Sequence, residues 1–343
     1  MREHAVRSIW LSYMVAPAKR AGTHTGGFHM AEVTAALVKQ LREVTGAGMM
    51  DCKKALAAVG ADMDKAIEFL REKGLAGAQK KAGRIAAEGI VDTKIAEDGK
   101  SAVAVEVNAE TDFVAKNEKF RNYVKEVTAQ ALTTAHDGID QFLEEPWAGD
   151  TTLTVAQKLS SMISIIGENM HIRRFAKLTE NDGFIESYIH AGGKIGVLLD
   201  VATNVENDAI HEMAKNICMQ VAALKPLHTS SAEVPADYIE KEEAILRAQI
   251  ANDPKESSKP EKVIEGMIKG RINKELKEIV LLDQVYVKAE DGKQTVKQYV
   301  DQVAKANNAN IVIKAFVRYE TGEGLEKKSE NFAEEVAKQA QQA

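Results

Sequence analysis

The side chains that could carry covalent chemistry are scattered along this sequence rather than grouped at catalytic spacings. Cys52 and Cys218 lie in distant segments, which excludes a disulfide framework, and each is expected to be a small buried hydrophobe in a reducing compartment. The acid pairs at 144–145 and 242–243 are typical of solvated charges, and neither a Gly-x-Ser-x-Gly nor a His-Glu-x-x-His pattern occurs. The Ala-Gly-Gly-Lys turn at 191–194 lacks the spacing of a phosphate loop. The sequence therefore predicts a protein that is not an enzyme and has neither a metal site nor a cofactor.

One stretch, residues 106–116, places a carboxylate and an aromatic ring side by side where one hydrophobic period changes into another. It reads Glu-Val-Asn-Ala-Glu-Thr-Asp-Phe-Val-Ala-Lys. Up to Asn108, valines alternate as in a strand with one buried face, and beyond it apolar residues are spaced as in a helix. Thr111 or Asp112 is expected to cap this helix, because a short side-chain oxygen accepts from its free amide groups. The predicted apolar stripe comprises Phe113, Phe120, Val124, Val127 and Ala131.

The segment upstream of that stretch predicts three short helices between residues 33 and 77. The first ends in Gly-Ala-Gly at 46–48, and Asp62 or Asp64 caps the third. The adjacent methionines at 49–50 point about 100° apart on a helix, so one narrow core stripe cannot hold both. Either one is core and one partly exposed, or both form a soft docking surface. The first helix is predicted from the apolar residues Leu37, Leu41 and Val44, the second from the spacing of Met50, Lys54 and Ala57 together with Leu56, and the third from Ala66, Ile67, Phe69 and Leu70, with Lys54 itself expected to be a solvated charge.

A strand-turn-strand pattern occurs twice in the chain. Residues 89–110 align without gaps on residues 183–204, and each copy contains a glycine turn and leads into a helix. The sequence therefore predicts a core of two related α+β halves with antiparallel sheets. His190 stands where the first copy has Ala96, so the shared fold does not require it, and on its own it is typical of a solvated residue near a turn.

The remaining segments predict helices joined to the second half of the core. A helix is expected at 155–166, ending at Gly167, and residues 79–88 are expected to be a linker or short helix. In 226–282, isoleucine spacing predicts two antiparallel helices joined at 253–260. This arm either projects to pair with another molecule or folds back on the core. After it, the pattern predicts a strand at 285–287, a helix at 296–303 and a strand at 311–317.

Composition restricts the class of protein. The chain has 343 residues, 45% hydrophobic and 28% charged, which is enough for more than one core, and no apolar run approaches a membrane span. The net charge of -6 argues against nucleic acid as the main partner, although residues 31–84 are locally basic. Residues 1–29 are expected to be a disordered extension, from an upstream start codon, an expression vector or a transit peptide. Residues 321–343 end in a short predicted helix that could not be stable alone.

Residues 106–116 and residues 41–56, which read Leu-Arg-Glu-Val-Thr-Gly-Ala-Gly-Met-Met-Asp-Cys-Lys-Lys-Ala-Leu, resemble two signature stretches of the bacterial translation elongation factor Ts family. The likeness runs from Met30 to the C-terminus. It implies the following domains: a ubiquitin-associated-like three-helix module at 30–84, core halves at 85–178 and at 179–225 with 283–320, a coiled-coil arm at 226–282, and a C-terminal module at 321–343.

The resemblance also implies a cytoplasmic guanine-nucleotide exchange factor for the GTPase elongation factor Tu. Such a factor weakens GDP by binding the emptied GTPase better, because linkage is reciprocal. By this resemblance, Phe113 would wedge into the partner. Asp112 would help to displace the partner's magnesium ion, which tolerates little change in its coordination. The matching positions are Thr111, Asp112, Phe113 and Val114 for the wedge and magnesium displacement, Ile166, Gly167 and His190 for a core contact, and Lys39, Arg42, Met49, Met50 and Lys53 for the N-terminal contact.

Two other classes of protein compete with this interpretation. An RNA-binding protein would use the basic helices at 31–84, but Phe69 is the only aromatic residue there on which a base could stack. A ubiquitin-associated-type adaptor would explain the three helices and leave the duplicated core without a role. Steep salt dependence of RNA binding would favour the first alternative. Recovery of one abundant GTPase from a bacterial lysate, released by GDP with magnesium, would favour the exchange factor.

Overall fold

Residues 33–326, the part described by the computed structural model, combine helices with antiparallel sheets in an α+β fold. The predicted extension at 1–29 and most of the predicted C-terminal module lie outside the described residues. The helices are α1 Ala35–Thr45, α2 Met49–Ala58, α3 Met63–Lys81, α4 Asp112–Lys116, α5 Glu118–Thr133, α6 Ile139–Glu144, α7 Val155–Ile166, α8 Asp208–Leu224, α9 Ala236–Asn252, α10 Glu261–Ile279 and α11 Val296–Ala306. The strands are β1 Glu88–Ile95, β2 Ser101–Ala109, β3 Pro146–Trp147, β4 Asp150–Thr154, β5 Met170–Thr179, β6 Gly183–His190, β7 Ile195–Thr203 and β8 Ile311–Glu320.

The first three helices pack around a small apolar cluster. α1 ends at Gly46, which adopts the left-handed conformation (φ 68°), and the side chain of Asp62 caps α3 by accepting from the Lys65 amide. The predicted apolar faces of α1 and α2 were wrong in part, because Val44 and Met50 are more than half exposed. The buried residues of α2 are Cys52, Ala55 and Leu56, and only Leu56 of these was predicted.

The third helix is slightly longer than the sequence predicted. It ends at Lys81, about four residues beyond the predicted end near residue 77, and so enters the segment at 79–88 that was expected to be a linker or short helix. Its physical basis is a close approach to α7, since a Cβ at Gly74 would lie 3.8 Å from the Ser160 carbonyl oxygen. Ala78 also packs against the first core cluster. The N-terminal helices are therefore joined to the core by a continuous helix.

The predicted duplication is confirmed by the strand register of two three-stranded sheets, β1-β2-β5 and β6-β7-β8. Gly89 opposes Asn108 in the first copy, and Gly183 opposes Ala202 in the second. In each copy the second strand carries a bulge at the same position, immediately after Glu106 or after its counterpart Asp200. A Cβ at either glycine would collide with the carbonyl oxygen of the opposing strand, which explains why both copies have glycine there.

The central strand of the first sheet is buried on both faces, although the sequence predicted one buried face. The valines of β2 face α5 and belong to the first core cluster. On the opposite face, Ala102 and Ala104 pack with Ile185 and Leu198 of the second sheet. The two halves of the core are thus packed against each other through small residues, which permit the sheets to approach closely.

The arm consists of α9 and α10, and the prediction of two helices is confirmed. Its apolar cluster, centred on Ile250, Ile268 and Ile272, contains only residues of these two helices. The predicted strand at 285–287 was wrong, because the segment makes a single bridge to Thr295 and its valines are about half exposed. Among the described residues, none of the helices combines the length and the apolarity needed to cross a bilayer.

Candidate functional site

The strand-to-helix junction after β2 exposes the aromatic ring that the sequence singled out. Thr111 caps α4, because its Oγ1 accepts from the Val114 amide at 3.4 Å. α4 is only five residues long, and a new helix starts where Asn117 caps α5. Of the two predicted caps, Thr111 is confirmed, whereas the prediction that Phe113 begins the apolar stripe of one long helix was wrong. Phe113 is 79% exposed, whereas the neighbouring Val114 is buried and anchors α4.

Lys116 lies close to both Asp112 and Phe113 on α4. Its Nζ lies 2.7 Å from Asp112 Oδ2 and 6.0 Å from the centre of the Phe113 ring. The hydrogen bond from Lys116 lowers the pKa of Asp112, so this carboxylate stays ionised at neutral pH. The junction thus presents an ionised carboxylate and an uncovered apolar ring side by side, both adjacent to one lysine.

Glu168 connects this junction to the end of α7. Its carboxylate accepts from the Thr111 amide at 3.0 Å and from Thr111 Oγ1 at 2.7 Å. α7 stops at Gly167, which has φ 90° and donates its N–H to the Ile163 carbonyl, as predicted. The structure therefore brings together the Thr111 junction and the Ile166–Gly167 pair, with Ile166 partly buried against the core. Sequence reasoning missed Glu168, since nothing local indicates a partner 57 residues away.

Arg121 connects the same junction to the turn that follows His190. Its guanidinium donates to the Ala115 carbonyl at the end of α4 and to the Gly192 carbonyl in the β6–β7 turn, both at 3.3 Å. His190 is exposed and its Nδ1 lies 2.9 Å from Tyr188 Oη. The predicted core-contact residues are thus collected around α4 by Glu168 and Arg121, neither of which was a predicted site residue.

The predicted N-terminal contact residues form a second exposed surface. Met49 and Met50 are 58% and 61% exposed, so neither is a core residue, and the alternative in which one of them is core was wrong. The turn between α1 and α2 meets α7, since a Cβ at Gly46 would lie 3.4 Å from Ile165 Cδ1. We call this surface the N-terminal patch. Its members are Lys39, Arg42, Met49, Met50 and Lys53, all exposed.

Other features of the described residues do not compete as a site. Within 33–326, no group of three or more His, Cys, Asp or Glu side chains is placed to hold a metal ion. A cleft between the N-terminal helices and the first core half contains none of the predicted site residues. Several of its charges pair with each other, as Lys73 does with Asp51 at 2.7 Å and Arg71 with Asp150 at 3.5 Å.

Comparison with known proteins places the chain among translation factors. Residues 110–323 match the protein family described as Elongation factor TS. Elongation factor Ts of Clostridium novyi (strain NT) is 50% identical over 310 residues, which cover 90% of this chain and 99% of that protein. Elongation factor Ts of Clostridium botulinum (strain Eklund 17B / Type B) is 50% identical, with 90% and 99% covered. Elongation factor Ts of Clostridium perfringens (strain SM101 / Type A) is 48% identical, with 89% and 98% covered.

Proposed function

Because the chain belongs to the elongation factor Ts family and is a nucleotide exchange factor for elongation factor Tu, we propose that α4 is the element that weakens GDP binding. The observation that carries this proposal is the 79% exposure of Phe113 on a helix whose next residue is buried. A large ring left in water next to an ionised carboxylate is typical of a contact surface rather than of a core. The RNA-binding and adaptor alternatives are not retained, because relatives that are 48–50% identical over about 90% of this chain are elongation factor Ts proteins.

The activity requires differential binding and no covalent step. A factor that binds the emptied GTPase more tightly than the GDP-bound form weakens GDP by the same ratio, since coupling between two ligands is reciprocal. The factor must therefore offer contacts that the GDP-bound partner can accept only by changing shape. A rigidly held protruding ring meets this requirement.

The surroundings of α4 hold Phe113 rigidly from several sides. Val114 and Ala115 are buried beneath it, Glu168 fixes the start of the helix, and Arg121 fixes its end. Force on the ring is therefore transmitted to the core instead of bending the helix. We infer that Phe113 inserts between partner side chains and displaces an element near the bound nucleotide.

Asp112 contributes charge at the same place. Its carboxylate is ionised and already paired with Lys116, an interaction between two partly exposed groups that is weak in water. Magnesium requires near-ideal octahedral oxygen coordination, so a carboxylate placed beside the partner's ion, or a shift of an element that ligates it, would weaken its binding. Loss of that ion would leave the phosphate charge unneutralised and would favour the release of GDP.

Two further contacts would fix the orientation of the partner relative to α4. Ile166, Gly167 and His190 lie around α4 and would extend the contact on the nucleotide domain. The N-terminal patch would dock separately, with flexible thioethers filling an apolar surface and three cations meeting acids. Charges at such a rim mainly accelerate encounter.

The domain assignments complete the proposal. The three helices at 30–84 are a ubiquitin-associated-like module, the arm at 226–282 is a coiled coil that pairs with itself or the partner, and 321–343 is a C-terminal module. Their common location is the cytoplasm, where translation takes place. The assignment of the arm as a coiled coil is supported by its apolar cluster, which contains only residues of α9 and α10.

Release of GDP from purified elongation factor Tu tests the proposal. Fluorescent GDP bound to the GTPase is chased with excess GTP, with and without the full chain. We expect acceleration that depends on the chain concentration, and a loss of this acceleration when Phe113 is replaced by Ala. Acceleration that is retained by Phe113→Ala would remove α4 from the mechanism, and no acceleration at all would remove the proposal.

A further inference from the structure

Residues 321–323, immediately after β8, cross between the two core halves, and we call this segment the strap. Thr321 donates its amide to the Lys194 carbonyl at 2.9 Å and its hydroxyl to the Gly193 carbonyl at 3.1 Å. Both carbonyls belong to the turn that follows His190. Gly322 then donates its amide to Glu106 Oε1 at 2.8 Å. The strap therefore touches the His190 turn with one residue and the strand that leads to Phe113 with the next.

Glu106 anchors the strap from inside the protein. It is fully buried and accepts from Arg173 Nη1 at 3.0 Å and from Arg174 Nε at 2.6 Å. Arg173 also donates to the Glu323 carbonyl at 2.6 Å, so the same cations hold the strap directly. A buried carboxylate with several charge-assisted bonds is fixed in position, because every alternative placement would leave buried groups without partners.

The duplication indicates that this anchor is not a requirement of the fold. The counterpart of Glu106 in the second copy is Asp200, which follows the same register and precedes the same bulge. Asp200 lies beside Glu180 and Lys314 instead of a pair of arginines. The repeated hairpin therefore forms with either arrangement, and the arginine cluster at Glu106 needs a separate explanation.

The strap also lies very close to the backbone that leads into β1. Gly322 has φ 71°, and a Cβ on it would collide with the carbonyl oxygen of Ala87, just before β1. Any side chain at this position must push the strap away from β1 and from Glu106. Gly324 has nearly the same φ, 74°, but a Cβ there would meet only Arg173 Nη2 at 4.0 Å. The two glycines differ in crowding and not in backbone conformation.

We propose that the strap is a positioning element that holds the His190 turn and the Phe113 helix at one fixed separation, so that both can engage the same partner. This inference rests on the contacts proposed above. Gly193 lies three residues beyond His190, and Glu106 lies five residues before Thr111 on β2. Exchange by two surfaces at once depends on their relative placement, and an error of about 1 Å in such an arrangement can cost up to roughly a hundredfold in rate.

The matched substitutions Gly322→Ala and Gly324→Ala in the full chain test the proposal. Both introduce the same strain of a left-handed residue, and only the first adds the collision. We expect Gly322→Ala to lower the maximal rate of GDP release by at least about tenfold, with a half-saturating concentration within about threefold of the original. The N-terminal patch, which is unchanged, maintains that concentration. Gly324→Ala is expected to match the original chain in both quantities.

A second pair of variants tests the proposal even if Gly322→Ala fails to fold. Thr321→Val removes the hydroxyl that donates to Gly193, whereas Thr321→Ser keeps it. We expect a reduced maximal rate for the valine variant and recovery for the serine variant, with equal melting temperatures. A role in stability alone would not produce recovery by serine together with an unchanged melting temperature.

Amide hydrogen exchange separates this inference from the proposed function. Release of the strap should accelerate exchange at 190–194 in Gly322→Ala and not in Gly324→Ala. If Phe113→Ala and His190→Ala slow GDP release while both glycine variants behave alike in rate and exchange, the strap proposal is overturned. If Phe113→Ala and His190→Ala have no effect, the proposed contacts fail whatever the strap does.

Discussion

Replacing Phe113 by Ala should separate the activity of this protein from its stability. The side chain is 79% exposed, so its removal costs the fold little, within about 0.5 kcal/mol for a surface position. A phenylalanine offers roughly 175 Å² to a partner, of which about 140 Å² is uncovered here. At about 25 cal/mol per Å², covering that surface stabilises the complex by about 3.5 kcal/mol, of which the alanine variant, which keeps its Cβ, loses about 3 kcal/mol.

The expected consequence is a loss of roughly a hundredfold in the efficiency of GDP release, since about 1.4 kcal/mol corresponds to tenfold. The assay is stopped-flow release of fluorescent GDP from elongation factor Tu over a range of concentrations of the full chain. Phe113→Leu should lie between Phe113→Ala and the original, because it retains part of the apolar surface.

Val312→Ala provides the matched control for that assay. Val312 is 49% exposed on β8 and lies outside the proposed contacts, so its truncation should leave release unchanged. The reasoning is refuted if Phe113→Ala releases GDP within about twofold of the original chain while its melting temperature is also unchanged. A fall in both rate and melting temperature would instead place the ring in the core, against its observed exposure.

Two further predictions concern the N-terminal patch and a buried acid. Substituting both Met49 and Met50 by Ala should raise the half-saturating concentration about tenfold or more with little change in maximal rate, as measured by the same release assay; an unchanged concentration would exclude the patch. Burial and the charge of Glu180, opposed by Lys314, raise the pKa of Asp200 to about 7. Because the folded state then binds a proton that the unfolded state releases, stability falls as pH rises from about 4 to 7. Asp200→Asn should therefore be more stable than the original chain at pH 8 by on the order of 2 kcal/mol and similar to it near pH 4, in urea unfolding; no pH dependence of the difference would contradict this.

The parts of the fold that the sequence predicted well are those with local physical signals. α7 begins and ends at the predicted residues because a capping threonine and a left-handed glycine mark its ends. The hairpin register was predictable because the pleat period and the turn glycines repeat in both copies. These features depend on neighbours within a few residues.

The errors arose where tertiary packing decided between local options. Asn117 interrupts an otherwise continuous helical period, and this break frees Phe113 from the stripe that the spacing predicted. Val44 and Met50 fit a helical face by spacing, but Val38 and Cys52 fill the cluster together with the predicted Leu41 and Leu56. No pattern along one helix shows which of two possible faces its neighbours will cover.

The candidate site residues came from family resemblance, whereas their supports came from the structure. The bond from Gly322 to Glu106 joins residues 216 positions apart, and the one from Arg121 to Gly192 joins residues 71 apart. Such contacts leave no trace in spacing or composition. Sequence alone could identify the contacting side chains but not what holds them in place.

The continuous helix α3 has a kinetic consequence for how this protein meets its partner. In the proposed two-site contact, a 19-residue helix rather than a loose tether joins the N-terminal patch to the core, so docking of the patch would leave little rotational freedom for α4. The ring on α4 would then be presented at a high effective concentration. Lengthening that helix by one residue would turn the patch by about 100° relative to the core and should abolish this advantage while leaving each surface intact.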